Sequence, residues 1–132
     1  MSHKSKLDPK AHRISVYKNT REMCNKNGSQ YNVKSQSTLL TTQNLSQLDI
    51  KCKFNNMTVI VENEDVLVSA EQYIGKGSMV ILNMTSCYNP GGGVERGSMA
   101  QEEEIFRRSN YLLSLPESFY PLKPRIFLAS RP

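Results

Sequence analysis

Three glycines followed by a run of carboxylates are the strongest chemical signal in this sequence. Gly91, Gly92 and Gly93 come directly after an Asn-Pro pair, and Gln-Glu-Glu-Glu begins at Gln101 after seven intervening residues. Because glycines lack a Cβ atom, a turn built from them lets backbone N–H groups approach an anionic ligand closely. A carboxylate beside such a turn can serve as a general acid or base toward that ligand.

Structural explanations for the same residues stay open on physical grounds alone. Acidic side chains in the first turn of a helix stabilise its dipole, whatever chemistry they perform. Ser98 and Gln101 fit a capping box, in which each side chain bonds the backbone amide of the other. Asn89 before Pro90 is typical of a turn. Arg96, between the glycines and the helix, can meet a phosphate or be solvated.

Two apolar segments and a helix between them should position this turn. Residues 57–62 (MTVIVE) and 79–82 (MVIL) predict short buried strands. Asn63 can cap the intervening helix, which is predicted to end at residues 75–77. Such an order predicts a parallel βαβ unit with the glycine turn beyond the carboxyl end of its second strand, where ligands bind. The apolar face of the helix contains Val66, Leu67, Ala70, Tyr73 and Ile74.

Further elements are predicted on either side of this unit. Arg13–Cys24 predicts a helix that ends in the turn-forming residues 25–28. Short strands are predicted at Tyr31–Lys34, Thr38–Thr42 and Arg125–Ala129.

The helix after the glycine turn is predicted to continue to about Ser114, where Leu115–Pro116 ends it. Its inward and outward faces follow from the helical period. The residues expected to pack inward are Ile105, Phe106, Leu112 and Leu113, and those expected to face solvent are Arg107 and Arg108.

Composition indicates one domain with a modest core, since the chain has 132 residues, of which 38% are hydrophobic. Its net charge is +5, and the excess of basic residues near the N-terminus fits a polyanionic partner or a solvated tail. No aromatic residues alternate with the basic ones, so direct nucleic-acid binding is not predicted. Three scattered cysteines, Cys24, Cys52 and Cys87, predict reduced thiols rather than a metal site.

No apolar run is long enough to cross a bilayer, and the first residues contain no hydrophobic signal segment. We therefore expect an intracellular protein, cytoplasmic or nuclear, that is neither secreted nor bound to a membrane.

The stretch from Asn89 to Tyr111 resembles the poly(ADP-ribose) glycohydrolase family, whose signature is three glycines followed by Gln-Glu-Glu. Its flanks, LNMTSCYNPGGG and QEEEIFRRSNYLLSL, are most similar to the microbial-type, macrodomain-related branch. The similarity covers roughly residues 13–121. It implies an α/β fold, a partial macrodomain-like mixed or parallel sheet with flanking helices. Residues 1–12 are then a basic flexible tail, and residues 13–132 the N-terminal part of a catalytic domain that is truncated at its C-terminus.

The resemblance also implies hydrolysis of ribose–ribose bonds in poly(ADP-ribose), or action on ADP-ribosylated protein, with release of ADP-ribose. By that analogy Glu103 is the general acid and then the base, and Glu102 holds ribose hydroxyls. The glycine turn would hold the diphosphate, and neither cofactor nor metal is expected. The residues expected to bind substrate are Asn89, Gly91, Gly92, Gly93 and Gln101.

Two other hypotheses remain at this point, a non-catalytic ADP-ribose-binding module and an inactive truncated remnant. The complete Gln-Glu-Glu favours an enzyme over a binding module, because a binding module does not need the acid. The remnant is favoured by the shortness of the chain after Pro121, where nothing resembles the rest of the family's domain.

Overall fold

The computed structural model describes residues 8–26, 36–46, 56–122 and 125–130. The sequence predicted both helices and strands, and both occur among these residues, with helices in the majority. The helices are α1 (Pro9–Lys26), α2 (Thr42–Leu45), α3 (Val66–Glu71) and α4 (Gln101–Arg108), the strands are β1 (Gln36–Thr41) and β2 (Arg125–Ser130), and the short 3-10 helices are Val94–Arg96, Asn110–Ser114 and Glu117–Phe119.

Strands β1 and β2 form an antiparallel pair, in which Gln36 lies opposite Ser130 and Thr41 lies opposite Arg125. This confirms the strands predicted around residues 38–42 and 125–129. The strand predicted at Tyr31–Lys34 lies outside the described residues.

The two strands predicted on either side of α3 are not formed, so the prediction of a parallel βαβ unit was wrong. Residues 57–62 and 79–82 have no regular secondary structure, and no backbone hydrogen bond joins one segment to the other. Most of their apolar side chains are exposed, as Val61 at 92% exposure and Val80 at 85% illustrate. High β propensity reflects fit to a half-buried pleated surface, and the described residues provide no such surface here. They therefore do not form a macrodomain-like sheet.

Helix α3, between these segments, does form, but with a different N-cap from the one predicted. Asp65 rather than Asn63 caps it, because Oδ1 of Asp65 accepts hydrogen bonds from the amides of Leu67 at 3.0 Å and Val68 at 3.1 Å. The helix ends at Glu71, so the last two members of the predicted apolar face lie beyond it. Both of them, Tyr73 and Ile74, are exposed.

Helix α1 begins earlier than its predicted start at Arg13. Pro9 occupies the first helical position, where its missing N–H costs nothing. The side chain of Asp8 accepts a hydrogen bond from the amide of Lys10 at 3.1 Å and so satisfies one of the first-turn donors. Residues 9–12, predicted as part of a flexible tail, are thus helical. No helix among the described residues is both long and apolar enough to span a membrane.

The core lies between α1, the 3-10 helix Val94–Arg96 and α4. Tyr17, Val94, Phe106 and Leu115 form its buried centre. Phe106 also meets Tyr111 edge to face, with ring centroids 5.7 Å apart and an angle of 89° between the rings. Aromatic side chains bury large apolar areas, so Phe106 and Tyr17 supply much of what fixes α4 against α1.

Helix α4 differs from its prediction at both ends. Ala100 is its N-cap and makes no side-chain capping bond, so the capping box of Ser98 and Gln101 was wrong. The helix ends at Arg108 because Ser109 adopts an extended conformation, and the amide of Tyr111 donates to its hydroxyl at 3.2 Å to start a 3-10 helix. The side chains of Ile105 and Phe106 are buried, as predicted, and Arg108 is exposed.

Arg107 was predicted to face solvent, and the structure corrects this, because Arg107 is only 4% exposed. Its guanidinium lies under the chain that connects the glycine turn to α4, where it donates to a backbone carbonyl and to Glu104.

Candidate active site

The glycine turn packs directly on side chains of α4. At Gly91, with φ of +74°, an added Cβ atom would lie 2.6 Å from the ring of Phe106. At Gly92, with φ of +54°, it would lie 2.8 Å from Oε1 of Glu103. The φ values and the close contacts both require glycine at these two positions. In the structure these two glycines make room for side chains of α4, and the predicted contact of the turn with a ligand stays a prediction.

Most backbone amides of the turn already have partners within the protein. The N–H of Gly92 donates to the carbonyl of Asn89 at 3.1 Å, and the N–H of Gly93 donates to Oε1 of Glu103 at 2.9 Å. Of the three glycines, Gly91 alone has an N–H without a partner among the described residues. The turn therefore offers an anion fewer free amides than a wide phosphate-binding loop does.

Glu103 is a buried carboxylate with one bonded and one free oxygen. Its side chain belongs to the first turn of α4, and the residue is 6% exposed. Oε1 accepts the hydrogen bond from Gly93, while Oε2 is buried and has no partner among the described residues. An unsatisfied buried oxygen costs free energy, so its presence calls for a functional explanation. Of the four carboxylate oxygens of Glu102 and Glu103, it is the one without a hydrogen-bond partner among the described residues.

Glu102 is also a buried carboxylate, but both of its oxygens have hydrogen-bond partners. It is 2% exposed, and both of its oxygens accept hydrogen bonds from the segment that precedes the glycine turn. The hydroxyl of Thr85 donates to Oε1 at 2.5 Å, and the amide of Ser86 donates to Oε2 at 2.8 Å. Glu102 therefore anchors this segment to α4 in the structure, and its predicted contact with ribose hydroxyls stays a prediction.

Two phenols lie near Glu102. The hydroxyl of Tyr120 is 3.5 Å from the hydroxyl of Thr85. Burial raises the pKa of Tyr120, with a smaller opposing effect from its hydrogen bond with Thr85. Burial likewise raises the pKa of Tyr111, with a smaller opposing effect from the nearby side chain of Asn83. Both phenols consequently remain neutral at physiological pH and can donate hydrogen bonds.

Gln101 is used to tether the same segment. Its side-chain amide donates from Nε2 to the carbonyl of Leu82 at 3.0 Å and accepts at Oε1 from the amide of Met84 at 3.0 Å. The paired bonds imitate the contact of a neighbouring β-strand, and they explain why Gln101 does not take part in a capping box. A direct contact of Gln101 with substrate stays a prediction.

The two remaining candidates, Asn89 and Arg96, both lie at the surface of the protein. Asn89 is exposed, and its carbonyl closes the turn by accepting from the amide of Gly92. Its contact with a ribose is therefore still a prediction. Arg96 is also exposed, at the end of the 3-10 helix.

Two arginines that hold the end of the turn were missed at the sequence level. Nε of Arg13, on α1, donates to the carbonyl of Gly97 at 2.8 Å, and Nη2 of Arg107 donates to the carbonyl of Ser98 at 2.7 Å. The spacing of Glu103 and Arg107, one helical turn apart, was a signal that could have indicated a shared face. Nothing in the sequence distinguished Arg13 from the other basic residues of α1.

Residues 3–126 match the family model of the microbial-type PARG catalytic domain. The chain belongs to this family. PARG denotes poly(ADP-ribose) glycohydrolase, so membership implies hydrolysis of a glycosidic bond with poly(ADP-ribose) as the substrate. No curated protein and no solved structure matches the chain. In the described ranges, no group of three or more His, Cys, Asp or Glu side chains is arranged to hold a metal ion.

Proposed function

We propose that this PARG family member hydrolyses ribose–ribose glycosidic bonds in poly(ADP-ribose), with Glu103 as the general acid and base. The observation that carries the proposal is the buried, unpartnered Oε2 of Glu103 beside the glycine turn. Glu102 is a poorer candidate for proton transfer, because both of its oxygens already accept hydrogen bonds from Thr85 and Ser86.

The proposed reaction needs two proton transfers, one from Glu103 to the leaving group and one from water back to Glu103. Glu103, protonated at Oε2, gives its proton to the glycosidic oxygen as the bond between that oxygen and the anomeric carbon breaks. The sugar is left with oxocarbenium character. The carboxylate then takes a proton from a water molecule, whose oxygen attacks the anomeric carbon. One water is consumed, and ADP-ribose and a shortened polymer are released.

The diphosphate of the substrate is proposed to lie against the outer edge of the glycine turn. Support comes from the N–H of Gly91, which has no partner among the described residues, and from the φ of +74° at that residue, which turns the backbone as ligand-binding glycine turns do. Asn89, at the exposed start of the turn, is proposed to contact a ribose.

Three further statements remain predictions. They are the assignment of residues 13–132 to a catalytic segment, the intracellular location, and the lack of direct nucleic-acid binding.

The test measures release of ADP-ribose from purified poly(ADP-ribose) by the wild type, Glu103→Gln and Glu95→Gln. Glu95 is a matched control, because its carboxylate lies in the same loop but is 69% exposed and pairs only with Arg21 on the surface. Loss of a general acid lowers kcat by about 100- to 10,000-fold, and we expect this for Glu103→Gln alone. Equal activity of Glu103→Gln and the wild type would contradict the assignment.

Binding of ADP-ribose, measured by calorimetry, separates the enzyme from a binding module. A wild type that binds ADP-ribose but releases none from the polymer would be a reader of the modification. The same measurement on Glu103→Gln should still show binding, because the glutamine keeps the acceptor for Gly93.

A further inference from the structure

A closed circuit of hydrogen bonds runs from α4 through the glycine turn and back to α4. Oε1 of Glu103 accepts from the N–H of Gly93 at 2.9 Å. The carbonyl of Gly93 accepts from the N–H of Ser98 at 3.2 Å. The carbonyl of Ser98 accepts from Nη2 of Arg107 at 2.7 Å. Glu103 and Arg107 are one turn apart on the helix, so the helix itself closes the circuit.

Arg107 is an unusual residue for this position. Arginine is seldom fully buried, and burial of its charge is costly unless the charge is well paired. The side chain of Arg107 is 2% exposed, whereas its ionic partner, Glu104, is 36% exposed. Two of its nitrogens, Nε and Nη1, have no hydrogen-bond partner among the described residues. The local environment thus does not explain why a cation is buried here.

We propose that Arg107 is a positioning residue, which fixes the Gly93 amide and thereby the orientation of the Glu103 carboxylate. Its guanidinium holds the carbonyl of Ser98, and Ser98 in turn holds Gly93. With Gly93 in place, Oε1 of Glu103 stays bonded and Oε2 remains the free oxygen. Arg13 supports the same end of the turn from α1, through the carbonyl of Gly97. The consequence for catalysis rests on the proposed function, whereas the consequence for the Gly93 amide does not.

The first measurement reads the Gly93 amide directly by NMR, in protein labelled with ¹⁵N-glycine. The chain contains seven glycines, so the spectrum is simple enough to follow one resonance. In Glu103→Gln we expect the Gly93 amide resonance to move from its wild-type position, because the carboxylate acceptor of its hydrogen bond is replaced by an amide oxygen. In Arg107→Met the resonance should also move away from its wild-type position, although the acceptor is unchanged.

Arg108→Met is the matched control, because Arg108 is adjacent, has the same charge and pairs at the surface with Asp65. Its Gly93 resonance should coincide with that of the wild type. A Gly93 resonance that is the same in Arg107→Met as in Arg108→Met would overturn the proposal. If Arg107→Met does not fold, Arg107→Lys serves instead, since lysine keeps the charge but loses the planar geometry. Because the lysine ammonium can still donate to the Ser98 carbonyl, we expect a smaller shift of the Gly93 resonance in that variant, accompanied by a partial loss of kcat. A loss of kcat without any shift of the Gly93 resonance would reject the proposal.

The second measurement separates positioning from stability by kinetics on poly(ADP-ribose). A misplacement of a catalytic group by about 1 Å lowers the rate by about 100-fold, so kcat of Arg107→Met should fall by about that factor. KM should change little, because the proposed contacts of the outer turn with the diphosphate are untouched. Arg107→Lys should recover part of kcat, since its ammonium can donate to the Ser98 carbonyl.

A residue with only a structural role would lower the melting temperature of Arg107→Met and leave kcat at 25 °C unchanged, which would contradict the kinetic part. If the wild type itself releases no ADP-ribose, the proposed function fails, while the Gly93 resonance still decides whether Arg107 positions the turn.

Discussion

At the scale of single residues, Glu102 and Glu103 have identical side chains but different hydrogen-bonding environments. Each is almost fully buried at the start of α4. The carboxylate of Glu102 is satisfied on both oxygens by Thr85 and Ser86, whereas that of Glu103 keeps one oxygen free. The two residues should therefore respond differently to the same substitution.

Glu102→Gln should destabilise the protein more than Glu103→Gln does. A glutamine at 102 replaces one acceptor oxygen by an NH2 group that faces a donor, and an unsatisfied buried group costs about 1–3 kcal/mol. At position 103 the amide oxygen can still accept from Gly93, and the NH2 group takes the place of the unpartnered oxygen. Urea unfolding of both variants and of the surface control Glu95→Gln would test this order. Equal losses at 102 and 103 would show that the two carboxylates are not distinguished in this way.

Gly92→Ala should be more harmful than the same change at Gly75. Both glycines have positive φ, +54° and +78°, which costs an L-residue about 1–2 kcal/mol. Around Gly75 there is nothing within 4 Å of an added Cβ, but at Gly92 the Cβ would press on Oε1 of Glu103. We expect Gly92→Ala to lose activity as well as stability, and Gly75→Ala to lose stability alone. Combined urea unfolding and kinetic measurements would decide, and full activity of Gly92→Ala would refute the contact.

At the scale of elements, α3 and α4 are linked by an ion pair that also caps a helix. Asp65 caps α3, and its carboxylate accepts from Nη1 of Arg108 at 2.9 Å. The hydrogen bond with Arg108, followed by those with the amides of Val68 and Leu67, holds the pKa of Asp65 below its usual value. The folded state thus prefers the ionised carboxylate.

This preference gives a pH dependence of defined sign. Because the pKa is lowered on folding, the stabilisation is present above the ordinary pKa of aspartate, about 4, and is lost as pH falls through the lower value of the folded protein. Asp65→Asn keeps a good N-cap residue but loses the charge. Since both partners are partly exposed, the loss at pH 7 should be under about 1 kcal/mol.

Urea midpoints of the wild type and Asp65→Asn, compared at pH 7 and pH 2.5, would measure this effect. The difference between them should shrink at the lower pH. Glu117→Gln is a suitable control, because Glu117 is exposed and its side chain makes no hydrogen bond among the described residues. A difference independent of pH would show that the ion pair with Arg108 does not contribute.

Two elements that the sequence predicted well are the long helix α1 and the short strand β2. Helix α1 was predicted except for its first turn, and β2 was found where Arg125–Ala129 indicated. The segment at residues 57–62 has an equally strong apolar, β-branched composition, yet it forms no strand. Composition reports the propensity of a segment to form a strand, but not whether another strand lies beside it to pair with. The sequence therefore could not show that residues 57–62 form no strand.

At the scale of the whole molecule, the buried core of the described residues lies around α1, the glycine turn and α4. The buried core joins these three parts through Tyr17, Val94 and Phe106. The candidate site could be proposed from the sequence because its signature lies in one continuous stretch of chain. The burial of Arg107 was not predictable, because it depends on the carbonyl of Ser98 and on packing against α1, which lies far away in the sequence.

Hydrogen exchange should differ between the buried core and the two exposed apolar segments. The amides of residues 57–61 and 79–81 make no backbone hydrogen bonds to other described residues, so peptides from both segments should exchange far faster than a peptide covering α4. Mass spectrometry of exchanged and digested protein would measure this. Comparable protection in all three peptides would show that the two apolar segments are paired as strands in solution.

The hydrogen bond from Ser98 to Gly93 sets how many residues the chain can place between the glycine turn and the helix. One residue inserted after Arg96 would leave every side chain as it is, yet it would carry Ser98 out of reach of the Gly93 carbonyl. Insertions and deletions in this loop should therefore do more damage than replacement of an exposed side chain such as Glu95. The length of the loop is as much a part of the site as the identity of its residues.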